Sequence, residues 1–212
     1  MDNSFVLGMI ILYKNITTWT GVIQRFWWRV TRQPYKEYSH LSIYAGISTL
    51  GRHIEAEANI QVDQTTFKYN PKNMDVWIPK ASERNIKQAL NEAIDDHEEK
   101  AYGFISWLTI VIRGIFEMLG FDAKGWNILW GWGVMCSEFG WYYMNKLASL
   151  EMRDALNKMR YESNMGNLKP LLQHKDLWHN FYINLHKYNP NTFTPIDARV
   201  LFRDHPEIWS KY

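Results

Sequence analysis

The sequence predicts an α+β fold, because the strand-like segments all lie before Lys80 and helix-like segments dominate the remainder. Two observations carry this expectation. Apolar or alternating runs of strand length lie at Val6–Tyr13, Ser39–Ala45, His53–Ile60 and Asp75–Pro79. Beyond them, apolar residues recur at the i, i+3, i+4 spacing of a helix face. At 212 residues the chain has room for a real core. It is read as one domain over 1–212, with a helical and aromatic insertion at about 100–133.

Val6–Tyr13 (VLGMIILY) reads as a short buried strand. Trp19, Ile23, Phe26, Trp27 and Val30 then follow helical spacing, with Arg25, Arg29 and Arg32 largely on another face, and this helix ends before Pro34. Ser39–Ala45 alternates, which places His40, Ser42 and Tyr44 on one face and Leu41, Ile43 and Ala45 on the other. After a turn around Gly46–Gly51, His53, Glu55 and Glu57 share one face of the next strand, opposite Ile54, Ala56, Ala58 and Ile60. Asp75–Pro79 is a third strand of this group. Ser82 caps a helix whose apolar stripe is Ile86, Ala89, Leu90, Ala93 and Ile94. Phe104–Leu119 is a second helix, stopped by Gly120. It is the most apolar segment. Arg113 and Glu117 interrupt it, and it falls short of the roughly 20 residues that span a bilayer, so a buried helix and no integral membrane span are expected. Gly125–Gly133 is a Gly/Trp loop, and a long helical region runs from near Cys136 towards Glu162. In the mixed tail, Thr194-Pro195 starts a short helix over Ile196–Phe202.

Composition removes several function classes. Hydrophobic residues at 46% and charged residues at 22% describe a globular chain, not a disordered one. A net charge of +2 is too small for the concentrated basic surface that nucleic acid requires. The single cysteine excludes an internal disulfide. The acidic start Met1-Asp2-Asn3-Ser4 lacks a secretory pattern, so a cytoplasmic or virion-associated location is expected. Eleven tryptophans fit either an aromatic core or an aromatic groove for sugar, lipid or protein.

A cysteine nucleophile needs a stabilised thiolate, a proton acceptor within reach and donors for the oxyanion. Cys136 follows Gly131-Trp132-Gly133 and opens a helical pattern, where unpaired N–H groups and the helix dipole favour a thiolate. A lone cysteine reads equally well as a small buried hydrophobe. His40 is the candidate base, and Glu55 on the next strand is the candidate that orients it. Without a reaction, the same residues are a structural strand histidine and a solvated carboxylate. His53, Glu55 and Glu57 also form a row of metal-ligand types. No HExxH motif or second histidine cluster accompanies them, so no metal and no cofactor are expected.

The order Ser-His-Leu-Ser-Ile-Tyr (39–44), His-Ile-Glu-Ala (53–56) and Met-Cys-Ser-Glu-Phe (135–139) resembles the circularly permuted NlpC-type papain-like cysteine hydrolases. The opening 7–12 resembles that family's first strand, and Phe193-Thr194-Pro195-Ile196-Asp197 its closing Thr-Pro-x-Asp segment, so the likeness spans roughly 5–205. The resemblance implies a permuted papain-like fold: an antiparallel sheet packed against the nucleophile helix, with an added helical segment. It implies a Cys136–His40–Glu55 triad and a thiol-dependent peptidase or amidase. Its partner would be a peptide-containing or acylated substrate, foremost a peptidoglycan peptide or related conjugate. Relatives such as lecithin retinol acyltransferase act on acyl lipids, which makes an acyl-lipid hydrolase or acyltransferase one alternative. Another is a non-catalytic module in a larger assembly such as a viral particle. Three departures stand out. Met9 replaces the usual Asp, and Ala101–Phe104 lacks the usual Tyr-Asp. Three extra residues in the His40–Glu55 turn make Glu57 a rival third member. Trp126, Trp130 and Trp132 precede Cys136 closely, and Trp130 and Trp132 are the expected substrate contacts.

Overall fold

The computed structural model describes residues 5–14, 38–58, 62–97, 112–124, 136–162 and 168–212. Its architecture is α+β. Five strands come first: β1 (Ile10–Lys14), β2 (Tyr38–Ile47), β3 (His53–Ala58), β4 (Val62–Thr66) and β5 (Met74–Pro79). Helices α1 (Glu83–Asp95), α2 (112–118), α3 (Cys136–Glu162), α4 (Leu168–Leu185) and α5 (Pro195–Asp204) come next, and β6 (Trp209–Lys211) closes the chain. The strands form one sheet in the order β4-β3-β2-β1-β5-β6, antiparallel at every pairing.

Alternation gives this sheet two apolar faces. Ile10, Leu12, Leu41, Ile43, Ala56 and Trp77 belong to the main core with Ile86, Ala89 and Leu90 of α1 and Phe139, Tyr143, Met144 and Leu147 of α3. Trp178, Phe181 and Leu185 of α4 extend that core, and Trp209 closes it. Met9, Ile11, Tyr44, Phe67, Met74 and Val76 form a second cluster, against which Phe5 packs. Burying such side chains contributes roughly 1.5–3 kcal/mol each, which is what holds helix against sheet.

The strand expected from Val6 begins only at Ile10. Val6–Met9 is a turn, closed by the Met9 N–H on the Val6 carbonyl at 3.2 Å. Gly8 sits at φ 76°, and a side chain there would overlap Ile86 and Tyr143, so glycine ends the extended run. The Tyr143 hydroxyl donates to the Gly8 carbonyl at 3.0 Å, tying this turn to α3. The Ser82 cap forms as expected, its hydroxyl accepting from the Asn85 N–H at 3.3 Å. At the other end of the chain Thr194 and Asp197 form a full capping box on α5, with Pro195 in the first turn.

Strands β4 and β6 and helix α4 add to the elements read from sequence. Conversely, the helix expected around Trp19–Val30, the strand end 59–60, the helical stretch 104–111 and the Gly/Trp loop with Trp126, Trp130 and Trp132 lie outside the described residues. Among the described residues no helix is long and apolar enough to cross a membrane.

Candidate active site

Cys136 heads helix α3, buried to 3% exposure beside β2. The first N–H groups of a helix have no intrahelical acceptor, so this position offers donors and the positive end of the dipole to a sulfur anion. The helix head is pinned. The Ser137 hydroxyl donates to the Phe193 carbonyl at 2.6 Å in the segment that leads into α5. One turn on, Gly140 lets β2 come close. A Cβ added there would lie 2.5 Å from Leu41 Cδ2, and Leu41 is the neighbour of His40. Glycine inside a helix therefore has a packing reason here.

His40 lies between Cys136, with which it interacts electrostatically, and Glu57, with which it hydrogen-bonds. Its Nε2 lies 2.6 Å from Glu57 Oε2. A carboxylate accepts, so Nε2 carries the proton on that side, which leaves Nδ1 for the thiol. The backbone of Leu41 also favours the Cys136 thiolate. Glu57 is held in turn by the Thr65 hydroxyl, which donates to Oε1 at 2.9 Å.

Glu55, expected as the orienting carboxylate, takes other partners. The Tyr13 hydroxyl donates to its Oε2 at 2.5 Å, and the Ser42 hydroxyl donates to the same oxygen. Strand register explains the choice. Ile43 stands opposite Ala56, so Ser42 comes opposite Glu57. Cross-strand diagonals then run from His40 to Glu57 and from Ser42 to Glu55, both within reach of a glutamate side chain. A bulge between Tyr44 and Gly46 sets this register. Tyr13 is the β1 partner of His40, and its ring lies 5.6 Å from the imidazole, centroid to centroid.

The electrostatics fit a thiolate–imidazolium pair. Burial pulls the His40 imidazole down, but the Cys136 sulfur and Glu57 outweigh it and hold the ring up to about 10. Burial pushes the Cys136 thiol up. The His40 charge, the His40 hydrogen bond and the Leu41 backbone bring it below its ordinary value, with Glu57 opposing. At Glu55 burial prevails over the Ser42 and Tyr13 hydrogen bonds and raises the carboxyl. The two glutamates of one strand face thus stand in different environments: Glu57 against a cation, Glu55 among neutral hydroxyls.

His53, the third residue of that row, has its Nδ1 2.6 Å from the Tyr44 hydroxyl, away from both carboxylates' partners. Among the described residues no group of three or more His, Cys, Asp or Glu is placed to hold a metal ion. Trp130 and Trp132 lie outside the described residues. Tyr13, Ser42, Thr65 and Gly140 join the site without being expected there from the sequence. Ser42 had a signal, since it shares the predicted face of His40. Gly140 had another, as a glycine inside a helical pattern. Comparison with protein-family profiles, with curated proteins and with solved structures finds no match to this chain.

Proposed function

We propose that this protein is a thiol-dependent hydrolase of the permuted papain-like kind that cleaves an amide bond in a peptide conjugate, with Cys136 as nucleophile, His40 as acid and base, and Glu57 as the residue that holds His40. The observation that carries this reading is the placement of His40, hydrogen-bonded to Glu57 at 2.6 Å and in electrostatic interaction with the buried Cys136. Burying such a pair in a purely structural site costs desolvation that apolar residues of similar size would avoid.

In this reading the Cys136 thiolate attacks the amide carbonyl and forms a C–S bond, while N–H groups at the head of α3 receive the oxyanion. His40 gives its proton to the departing amine as the C–N bond breaks, leaving a thioester. A water then attacks the thioester carbonyl, its proton passes to His40, and the C–S bond breaks, which releases the acid product and restores the Cys136 thiolate. Glu57 keeps the imidazole in the required tautomer and stabilises its charged form.

The test is alkylation of Cys136 by iodoacetamide as a function of pH, for the native protein and for His40→Ala. The purified protein is then incubated with peptidoglycan peptides and, separately, with acyl lipids. Native Cys136 should react at neutral pH faster than a free thiol, and His40→Ala should abolish that advantage. Equal rates for native protein and variant, or an inert thiol until denaturation, would remove the catalytic reading. Release of acid from lipid but not from peptide would redirect the substrate class.

A further inference from the structure

Tyr13 touches both His40 and Glu55. It is the β1 partner of His40 across the ladder. Its ring lies 5.6 Å from the imidazole, centroid to centroid, with the two planes inclined at 46°. Its hydroxyl, at the far end of the ring, donates to Glu55 Oε2 at 2.5 Å. The buried Ser42 hydroxyl donates to the same oxygen, and Glu55 is itself buried. Burial and the Glu55 charge hold the Tyr13 hydroxyl well above its ordinary value, so it stays a donor. A buried carboxylate costs desolvation unless donors meet it, and a network whose members are all satisfied fixes one arrangement of its side chains. Phenylalanine would fill the same space without a hydroxyl to desolvate, so packing alone does not account for tyrosine here.

The imidazole needs such a fix. Glu57 takes its Nε2 edge at 2.6 Å. A hydrogen bond at one edge sets where that nitrogen points but leaves the ring plane free to rock, because the last torsion of a histidine side chain is broad. A contact on the ring itself removes that freedom. We propose that Tyr13 is a positioning residue for His40: its ring bears on the imidazole and limits its rotation, and Glu55 with Ser42 tethers that ring through the hydroxyl. Glu55 thus acts on His40 at one remove, while Glu57 acts directly. The effect on turnover rests on the hydrolase reading; the effect on the His40 imidazole does not.

The test is the titration of His40 by NMR of its ring protons, assigned by their absence from His40→Ala, together with the pH profile of Cys136 alkylation by iodoacetamide. Tyr13→Leu removes ring contact and tether together. It should bring the His40 midpoint down from about 10 by about one unit or more. It should also slow alkylation at neutral pH roughly tenfold, as the thiolate loses its partner. Tyr13→Phe keeps the ring without the tether and should fall between native and Tyr13→Leu. Glu55→Gln removes a charge but still accepts from Tyr13, so its effect measures the charge alone. Glu55→Leu cuts the tether and should exceed it. Tyr13→Phe added to Glu55→Leu should do no more than Glu55→Leu alone, because both cut one link. Ile11→Val, in the apolar cluster on the same face of β1, should lower the melting temperature and leave the His40 midpoint unchanged. Tyr13 variants that behave like Ile11→Val, or additive effects of Tyr13→Phe and Glu55→Leu, would overturn the proposal. An inert native Cys136 would remove the hydrolase reading instead, and the His40 titration would still decide the role of Tyr13.

Discussion

Two glutamates a single pleat apart divide the work at the residue scale. Glu57 faces the His40 cation and the Thr65 hydroxyl, while Glu55 faces two hydroxyl donors. Replacing Glu57 with Gln removes the charge that keeps His40 protonated, and under the proposed hydrolase reading turnover should fall on the order of 10²–10⁴-fold. Glu55→Gln should cost far less, since Tyr13 and Ser42 can still donate to the amide oxygen. Kinetics on the two variants decide; the reverse order would move the orienting role to Glu55. The pH profile derives from the same contacts. A histidine raised to about 10 contributes stability that is fully present below its ordinary value and lost as pH rises through 10. A cysteine lowered by its partner contributes stability that is present above its ordinary value and lost as pH falls through the lowered one. The ion pair therefore lives between those limits, as a property of both groups together. In the proposed mechanism turnover needs the imidazolium to protonate the leaving group, so it should decline near pH 10, while alkylation of the thiolate persists. Parallel loss of both on the alkaline side would contradict the assigned roles.

Elements bring these residues together through one close approach. Gly140 and Leu41 are in contact where α3 crosses β2, and Leu41 is wholly buried. Gly140→Ala gains about 1 kcal/mol of helix propensity. It also forces Leu41 or the helix to shift, and overpacking of this kind costs about 1–3 kcal/mol. We expect a net loss of stability in denaturant titrations and slower Cys136 alkylation, because the shift parts Cys136 from His40. Leu41→Ala added to Gly140→Ala should restore the alkylation rate by making room. A variant as reactive as the native protein would show that the close approach does not set the pair.

Elements also mark how far the sequence can be read. Strands with an apolar row, such as β2 and β5, are legible to within two residues of their ends. β4 (VDQTT) has no apolar row, and its place comes from pairing with β3; β6 is three residues long and depends on docking against β5. α4 exposes Leu172, Leu177 and Ile183 while burying Trp178, Phe181 and Leu185, so its helical period is blurred. Cys136 and His40 are legible because strand alternation and a helix start are local patterns. The partner of His40 is not, because it depends on a bulge and a cross-strand register that no local pattern specifies.

On the scale of the whole molecule, the segment from Asn189 to Asp197 joins parts far apart in sequence. Its Thr192 carbonyl and Asp197 carboxylate hold Arg113 of α2, its Phe193 carbonyl holds Ser137 of α3, and Thr194 with Asp197 starts α5. Arg113 and Asp197 are both buried, so removing Arg113 leaves the Asp197 carboxylate without its cation, while Arg113 without Asp197 keeps Glu117. Arg113→Met should therefore cost about 3–5 kcal/mol in thermal or denaturant unfolding. Asp197→Asn should cost less than a change to Leu, because the amide oxygen still accepts from the Thr194 N–H and keeps the cap. In the double variant Arg113→Met with Asp197→Asn neither charge remains, and part of the loss should return, giving a favourable coupling in a double-mutant cycle. The same link reaches the site. Thr192 and Thr194 flank Phe193, whose carbonyl fixes the head of α3. Loosening Arg113 should thus slow Cys136 alkylation in the folded fraction, although Arg113 makes no contact with the thiol. Additive losses in the cycle, or an alkylation rate indifferent to Arg113→Met, would mean that α2 is attached to the fold without helping to place Cys136.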